Sequence, residues 1–301
     1  MLQAVYSLTS YVLAGFLALL AVIPADTVPI TLLKMADTER AFAKQAAETT
    51  IGAAFVEYFA DESINFDPAP GPARDRLRQE PDAFPKELRM KWEPRVGDIS
   101  ASGDLGYLTG PVESTMPGQP LRYGNYLSVW KKQANGEYRV ILDVGSRQPE
   151  KPRFADGFVR STALATYKGR DTKAAAEASL LGADQAFSTA ISKGAHEAYM
   201  TTMHAAGRLH RSGYLSMTSR DAASAWLRDH VKTMTSTPMK SETAASRDLG
   251  YTWGTFTVKS PDARDEQGYY VRVWTRAATG AWQLVADVTE PSRPPAASIP
   301  R

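Results

Sequence analysis

The chain has 301 residues, of which 35 are basic and 33 acidic, and it contains no cysteine. Hydrophobic residues make up 43% and charged residues 23%, which is typical of a globular protein with room for two cores. The charges are interspersed and form no long basic run, which argues against a nucleic-acid partner. The lack of cysteine excludes disulfides, thiolate metal sites and a cysteine nucleophile.

The N-terminal segment differs from the rest of the chain. Residues 4–24 are almost entirely apolar, and no charged residue precedes Asp26. This pattern predicts a secretory signal over residues 1–25, with Ala25 as the cleavage position, or a membrane anchor through residues 4–24. An apolar helix docked on the globular body is the alternative. We therefore expect an exported protein, periplasmic or membrane-anchored.

The remaining chain carries the same module twice. Residues 101–148 align without a gap on residues 245–292, an offset of 144, and sixteen of the 48 paired positions are identical. The identical pairs include Asp104 with Asp248, Trp130 with Trp274, and Asp143 with Asp287. A period of this length corresponds to a whole domain and not to a solenoid repeat.

The repeat sets the predicted domain boundaries. The first domain is expected over residues 31–147 and the second over residues 173–292. A linker over residues 148–172 joins them, and a proline-rich, disordered tail is predicted over residues 293–301.

Each copy opens with helical periodicity and closes with strand periodicity. A helix is predicted over residues 31–60 with a break near Gly52, and short helices near residues 81–91 and 221–233. Alternating strands flank the Asn135-Gly136 turn, and the second copy repeats this hairpin pattern around Gly280. Helices followed by antiparallel strands predict an α+β fold, with helices packed on one face of a curved sheet.

Three motifs add a family resemblance: Trp92-Glu93-Pro94, the run from Ser102 to Gly110, and the run from Gly124 to Trp130 followed by Asp143. With these residues the chain resembles the nuclear-transport-factor-2-like superfamily, and most closely its SnoaL-like branch of unknown function. The ketosteroid isomerases and polyketide cyclases share this fold. The resemblance implies two tandem cone-shaped domains, each with a pocket between its long helix and its sheet. It indicates no single function, because this fold hosts enzymes, binders and interaction modules.

The two copies are not equivalent in the implied pocket walls. Ser236-Thr237-Pro238 replaces Trp92-Glu93-Pro94, and Arg247 replaces Gly103. The residues expected to line the pockets and bind ligand are Phe55, Phe59, Trp92, Tyr107, Asp143, Tyr199, Met203 and Tyr251.

Catalytic candidates lie mainly in the second copy, which holds all four histidines. Histidine is the commonest general base near neutral pH, so His204 or His210 is a candidate base with Asp287 as its partner. These groups would have to converge within hydrogen-bond reach. The alternative is that the histidines are solvent-facing or hydrogen-bonded structural residues.

The paired aspartates Asp143 and Asp287 allow two interpretations. An aspartate late in the last strand could abstract a proton next to a carbonyl if apolar walls raised its pKa. It could equally accept structural hydrogen bonds at a strand end. The sequence shows no metal-ligand spacing and no nucleotide fingerprint, so we predict no metal and no cofactor.

The strands around the two repeated tryptophans predict how the copies meet. One strand face is aliphatic, with Leu127, Val129, Val271 and Val273, and the other is aromatic, with Tyr126, Trp130, Tyr270 and Trp274. We expect the aliphatic faces to line the pockets and the aromatic faces to pack the two sheets together. The chain would then be an intramolecular pseudo-dimer.

Three functions remain open from the sequence. The first is an exported or anchored protein that binds a small apolar or carbonyl-bearing molecule. The second is an isomerase, dehydratase or cyclase that acts through a His/Asp base in the second domain. The third is a protein-interaction module that works through its outer sheet faces.

Overall fold

The protein is described by a computed structural model that covers residues 28–66, 69–163, 165–261 and 265–292. The predicted signal or anchor over residues 1–25 and the predicted tail over residues 293–301 lie outside these ranges. Within the ranges, no helix is long and apolar enough to cross a lipid bilayer.

The first domain packs helices on an antiparallel sheet whose edges carry short parallel pairings. Its elements are α1 (Ile30–Glu48), α2 (Ile51–Tyr58), β1 (Phe59–Asn65), β2 (Gly71–Pro72), α3 (Ala73–Gln79), β3 (Arg89–Trp92), β4 (Val96–Ile99), β5 (Leu105–Thr115), β6 (Arg122–Lys132), β7 (Tyr138–Gln148) and β8 (Val159–Arg160). The sheet order is β2-β1-β7-β6-β5-β4-β8, and β3 also pairs with β5.

The second domain repeats this plan with fewer strands. Its elements are α4 (Lys173–Lys193), α5 (Ala195–Thr202), β9 (Met203–His210), α6 (Arg220–His230), β10 (Thr233–Thr243), β11 (Leu249–Lys259), β12 (Glu266–Arg276) and β13 (Trp282–Pro291). The order is β10-β11-β12-β13-β9, and β9 pairs parallel to β13 as β1 does to β7. The chain therefore forms two α+β domains, each with helices on a curved sheet that is mainly antiparallel.

Local sequence explains the predicted break near Gly52 and the absence of one predicted helix. The break between α1 and α2 comes before Gly52, because the Thr50 side chain accepts the Ala53 N–H at 3.2 Å and caps α2. No helix forms near residues 81–91, where α3 has already ended at Gln79. Pro81 and Pro85 remove the backbone donors that a helix interior requires there.

Three hydrophobic cores hold the molecule together. One lies between α1, α2 and the first sheet, and a second lies between α4, α5, α6 and the second sheet. We call the side-chain layers at these two places the first interior and the second interior. The third, which we call the inter-sheet core, joins both domains and includes Leu127, Val129, Leu142, Val271, Val273 and Val288.

The prediction of which strand faces meet was wrong. The aliphatic faces form the inter-sheet core, whereas Trp130 and Trp274 are 0% exposed within the interiors of their own domains. Each indole needs a polar acceptor, which the interiors supply: Trp130 Nε1 donates to Glu39 at 2.9 Å, and Trp274 Nε1 donates to Thr252 at 2.9 Å. Aliphatic side chains need no such partner and suit the dry contact between stacked sheets.

The repeated aspartates at the start of β5 and β11 join the two domains symmetrically. Asp248 Oδ2 accepts the Ala101 N–H at 3.0 Å, and Asp104 Oδ2 accepts the Ala245 N–H at 2.9 Å. Between them the hydroxyls of Ser102 and Ser246 lie 2.8 Å apart. The recurrence of this aspartate in both copies is thus explained by the contact between domains.

The described part of the predicted linker, residues 148–172, is structured. Strand β8 pairs with β4, and Arg160 Nε donates to Asp98 at 2.8 Å. Ala163 lies in the inter-sheet core, and the Tyr167 N–H donates to the Arg276 carbonyl at 3.0 Å. The linker therefore packs against both domains.

Replacing Asp248 tests the symmetric contact. Asp248→Ala leaves the Ala101 N–H and the Ser246 hydroxyl without their acceptor, so we expect the free energy of unfolding to fall by about 1–3 kcal/mol. Urea denaturation measures the change. The control is Asp82→Ala, which removes only an exposed ion pair with Lys86 and should cost less than about 1 kcal/mol. Equal losses in both variants would contradict a structural role for Asp248.

Candidate functional site

Three matched positions determine the polar character of each interior. In the first domain they are Glu39 on α1 and the paired residues Ser128 and Asp143 on β6 and β7. In the second domain they are Asp184 on α4 and the paired residues Arg272 and Asp287 on β12 and β13. Each interior therefore holds two carboxyl groups, and among the described residues a cation lies between them in the second interior alone.

The second interior is organised around Arg272, whose side chain is completely buried. Its Nη1 lies 2.6 Å from Asp184 Oδ1, and its Nε lies 2.8 Å from Asp287 Oδ2. The guanidinium also lies 3.9 Å from the ring centroid of Tyr270 and 4.8 Å from that of Phe187. A buried cation requires this compensation by carboxylates and aromatic faces.

Asp287 has further donors. Tyr199 Oη donates to Asp287 Oδ2 at 2.8 Å, and Arg211 Nη1 lies 2.7 Å from Asp287 Oδ1. Burial opposes ionisation, but the charges of Arg211 and Arg272 outweigh it and hold the pKa of Asp287 below its ordinary value. The carboxyl groups of Asp184 and Asp287 are thus both engaged by arginine and tyrosine side chains.

In the first interior, neutral donors surround Glu39. This carboxyl accepts from Trp92 Nε1 at 2.7 Å, from Ser128 Oγ at 2.7 Å and from Trp130 Nε1 at 2.9 Å. Burial raises the pKa of Glu39, and these hydrogen bonds offset only part of that effect.

Asp143 lacks the donors that its counterpart has. Ser128 stands in place of Arg272, Phe55 in place of Tyr199, and Asp67, outside the described residues, in place of Arg211. Among the described residues no side chain donates a hydrogen bond to Asp143, which is half-buried. Loss of hydration, followed by repulsion from Glu39 and Glu290, raises the pKa of Asp143 to about 8, although the Val144 N–H lowers it.

Other buried polar atoms nearby also lack partners. Tyr126 Oη, Asn65 Oδ1 and Ser63 Oγ are buried and have no hydrogen-bond partner. Ile64 pairs with Leu142 in the inter-sheet core, so Asn65 and Asp143, one residue further along, lie side by side on the opposite face. Buried polar groups are usually hydrogen-bonded, so these atoms leave hydrogen-bonding capacity unused in the first interior.

Aromatic side chains form a wall of the first interior. The ring centroid of Phe42 lies 5.0 Å from those of Phe55 and Tyr58 and 4.9 Å from that of Trp92. Phe55, Tyr58 and Trp92 remain partly exposed, and Phe59 completes the cluster. Of the predicted ligand-binding residues, the structure thus brings Phe55, Phe59, Trp92 and Asp143 together in one domain.

The other predicted ligand-binding residues lie elsewhere. Tyr107 and Tyr251 lie in the inter-sheet core, because each pairs with an aliphatic residue of the neighbouring strand, Val129 and Val273. Tyr199 and Met203 are buried in the second interior.

The structure does not bring His204, His210 and Asp287 together as a catalytic set. His210 is buried near the domain boundary with Nδ1 2.6 Å from Ser216 Oγ, and burial, followed by the charges of Arg208 and Arg211, lowers its pKa to about 3. His204 Nδ1 accepts the Ala206 N–H at 3.1 Å. Within the described residues neither histidine is hydrogen-bonded to Asp287.

Sequence reasoning overlooked Glu39, Tyr126, Asn65 and Ser128. One sequence difference could have drawn attention to them. Ser128 aligns with Arg272 in two strands whose aromatic residues are otherwise the same. Because this position carries a cation in the second copy and a neutral residue in the first, the two interiors accommodate their carboxyl groups in different ways.

The pH dependence of stability tests the state of Asp143. Its pKa rises from 3.8 to about 8 on folding, so the protonated carboxyl stabilises the fold fully below about pH 4, and this contribution is lost as pH rises through about 8. The Asn side chain of Asp143→Asn does not ionise, so this variant does not lose that stability as pH rises. We expect its free energy of unfolding, relative to the wild type, to increase between about pH 5 and about pH 9 in urea denaturation. A difference independent of pH would show that Asp143 ionises normally.

No protein-family model matches the chain, and no curated protein sequence matches it significantly. Among solved structures, a nuclear-transport-factor-2-like superfamily protein from Salmonella enterica serovar Typhimurium is 8% identical (TM-score 0.34; 42% of this chain and 99% of that chain). A ketosteroid isomerase-like protein from Erwinia carotovora atroseptica is 15% identical (TM-score 0.32; 38% and 95%). Rv3472(D26N) from Mycobacterium tuberculosis, a protein of unknown function, is 17% identical (TM-score 0.33; 39% and 76%). Each likeness spans about the length of one domain and concerns the fold alone.

Proposed function

We propose that the first interior binds a small organic molecule and that the second domain is its structural counterpart. The observation that carries this proposal is the difference between the two matched aspartates. Asp287 is engaged by Tyr199, Arg211 and Arg272, whereas Asp143 has no side-chain partner among the described residues.

The residues of the first interior suit a ligand with an apolar body and one polar group. Partly exposed Phe55 and Trp92 offer an apolar surface for the body. Asp143 and the Tyr126 hydroxyl offer a carboxyl and a phenol to the polar group. Ligand pockets typically combine mostly apolar walls with a few convergent polar groups.

The packing of the sheets gives less support to the third hypothesis, a protein-interaction module. The sheet faces that such a module would use pack against each other in the inter-sheet core. Each of these faces is covered by the sheet of the other domain in the same chain.

Filling the first interior with the side chain of its counterpart tests the binding proposal. Ser128→Arg places the second domain's cation beside Asp143, and we expect it to abolish binding of small molecules while the protein stays folded. A panel of small aromatic amines, alcohols and ketones is screened against the full chain by thermal shift and by intrinsic tryptophan fluorescence. The control Gln119→Arg adds the same charge at an exposed turn and should bind like the wild type.

Binding that survives in Ser128→Arg would place the ligand elsewhere. A panel that never shifts the wild type, at ligand concentrations up to the solubility limit, would contradict the binding proposal itself.

A second candidate function is proton transfer next to a carbonyl group, as in an isomerase, dehydratase or cyclase. The observation that favours it is Asp143, because an acid or base is most effective when its pKa lies near the working pH. The Tyr126 hydroxyl would donate to the carbonyl oxygen as negative charge develops there. We place this chemistry in the first domain, where no His is required.

Isotope exchange tests this activity. In deuterated buffer, we expect the protein to exchange the protons beside the carbonyl of 2-phenylacetaldehyde or cyclohexenone, at a rate that rises with pH through about 8 because only ionised Asp143 accepts a proton. Asp143→Asn should lower the rate by about 10²–10⁴-fold. NMR follows the exchange. A rate unchanged in Asp143→Asn would eliminate this candidate function.

A further inference from the structure

The second domain shows how this fold holds a cation against the matched aspartate. The Arg272 guanidinium pairs with Asp287 at 2.8 Å and lies 3.9 Å from the Tyr270 ring and 4.8 Å from the Phe187 ring. The carboxylate neutralises the charge, and the two rings contact its faces.

The first domain keeps the acceptor set. Tyr126 matches Tyr270, Asp143 matches Asp287, and Phe42 matches Phe187. The ring geometry is also kept, because Phe42 meets Trp130 edge-on at 6.5 Å and Phe187 meets Trp274 edge-on at 5.7 Å. Ser128, by contrast, carries no charge where Arg272 does.

No residue of the first domain replaces that charge. Trp92 takes over part of the role of Arg272, since its Nε1 donates to Glu39 at 2.7 Å, but an indole is neutral and does not reach Asp143 with a hydrogen bond. Within the described ranges no lysine or arginine forms an ion pair with Glu39 or Asp143. The nearby Arg40 is engaged by Asp37 and Glu93.

We propose that the ligand of the first domain is an organic cation, with a guanidinium or ammonium group that pairs with Asp143 beside the ring of Tyr126, as Arg272 pairs with Asp287 beside the ring of Tyr270 in the second domain. The apolar body of the ligand lies along Phe55 and Trp92. This inference rests on the proposed binding function and specifies the chemical class of its ligand.

The charge of the ligand sets the sign of the pH dependence. A guanidinium stays charged at all pH values used here and competes with the proton for Asp143, so its affinity increases as Asp143 ionises. A neutral ligand with a carbonyl acceptor needs the protonated carboxyl as donor, so its affinity decreases over the same range. The two classes are therefore distinguishable by measurement.

The test compares benzylguanidinium with benzylurea, a neutral molecule of nearly the same shape. Isothermal titration of the full chain is carried out at about pH 6 and about pH 9. We expect benzylguanidinium to bind about tenfold or more tightly at the higher pH, and benzylurea to bind at least about tenfold more weakly than benzylguanidinium there. Asp143→Asn and Ser128→Arg should each abolish the preference for the cation.

The control is Glu137→Gln, which removes an exposed carboxylate at the β6–β7 turn and should bind both probes like the wild type. Two variants are used because Ser128→Arg adds volume, whereas Asp143→Asn adds none.

The outcomes separate this inference from the proposed function. Binding of benzylurea as tight as, or tighter than, that of benzylguanidinium at about pH 9 would overturn the cation while leaving the binding site intact. Binding of the alcohols or ketones of the panel without binding of benzylguanidinium would do the same. Failure of every compound, including the panel, would overturn both.

Discussion

The packing of the two aliphatic sheet faces is the constraint on which the rest of the structure depends. It buries Leu127, Val129, Val271 and Val273 in one core that belongs to both domains. Once that face of each sheet is used, every side chain on the other face has to be accommodated beneath the helices of its own domain. The tryptophans, tyrosines and carboxyl groups that alternate with the aliphatic residues are thereby directed into the two interiors.

This arrangement creates the same electrostatic problem twice, because each interior places a helix carboxyl near a strand carboxyl. The second domain solves it with Arg272 and Arg211, and its interior is closed by ion pairs and hydrogen bonds. The first domain surrounds Glu39 with neutral donors and leaves Asp143 half-buried, with its pKa raised to about 8. In the second copy the two carboxyl groups are paired with arginines, whereas in the first copy Asp143 has no side-chain donor among the described residues.

The two domains therefore contribute differently to the structure. The second domain contributes a covering for the first sheet, through the inter-sheet core and through the paired turns at Asp104 and Asp248. Its own interior meanwhile stays filled by Arg272 and the carboxyl groups that pair with it. The first domain carries Asp143 with a raised pKa, while its aliphatic sheet face is stabilised by the contact with the second domain.

The sequence by itself determined the duplication, the order of helices and strands, and the α+β class, because these depend on spacing and periodicity along one stretch of chain. The hairpin glycines are an example: Gly136 and Gly280 both have positive φ, at 87° and 90°, where the turn requires it. Strand alternation also showed that the two faces differ. It could not show which face meets the other domain, because both faces are buried, and because Glu39 and Thr252, which accept from Trp130 and Trp274, lie on other elements.

Only the tertiary structure decided where the candidate site lies. Asp143 and Asp287 are the same residue at matched positions, yet their pKa values shift in opposite directions. The cause is a set of neighbours distant in sequence, such as Tyr199 and Arg211 around Asp287. Hydration and charge at a buried carboxyl depend on what surrounds it in space, and that information exists only after the chain has folded.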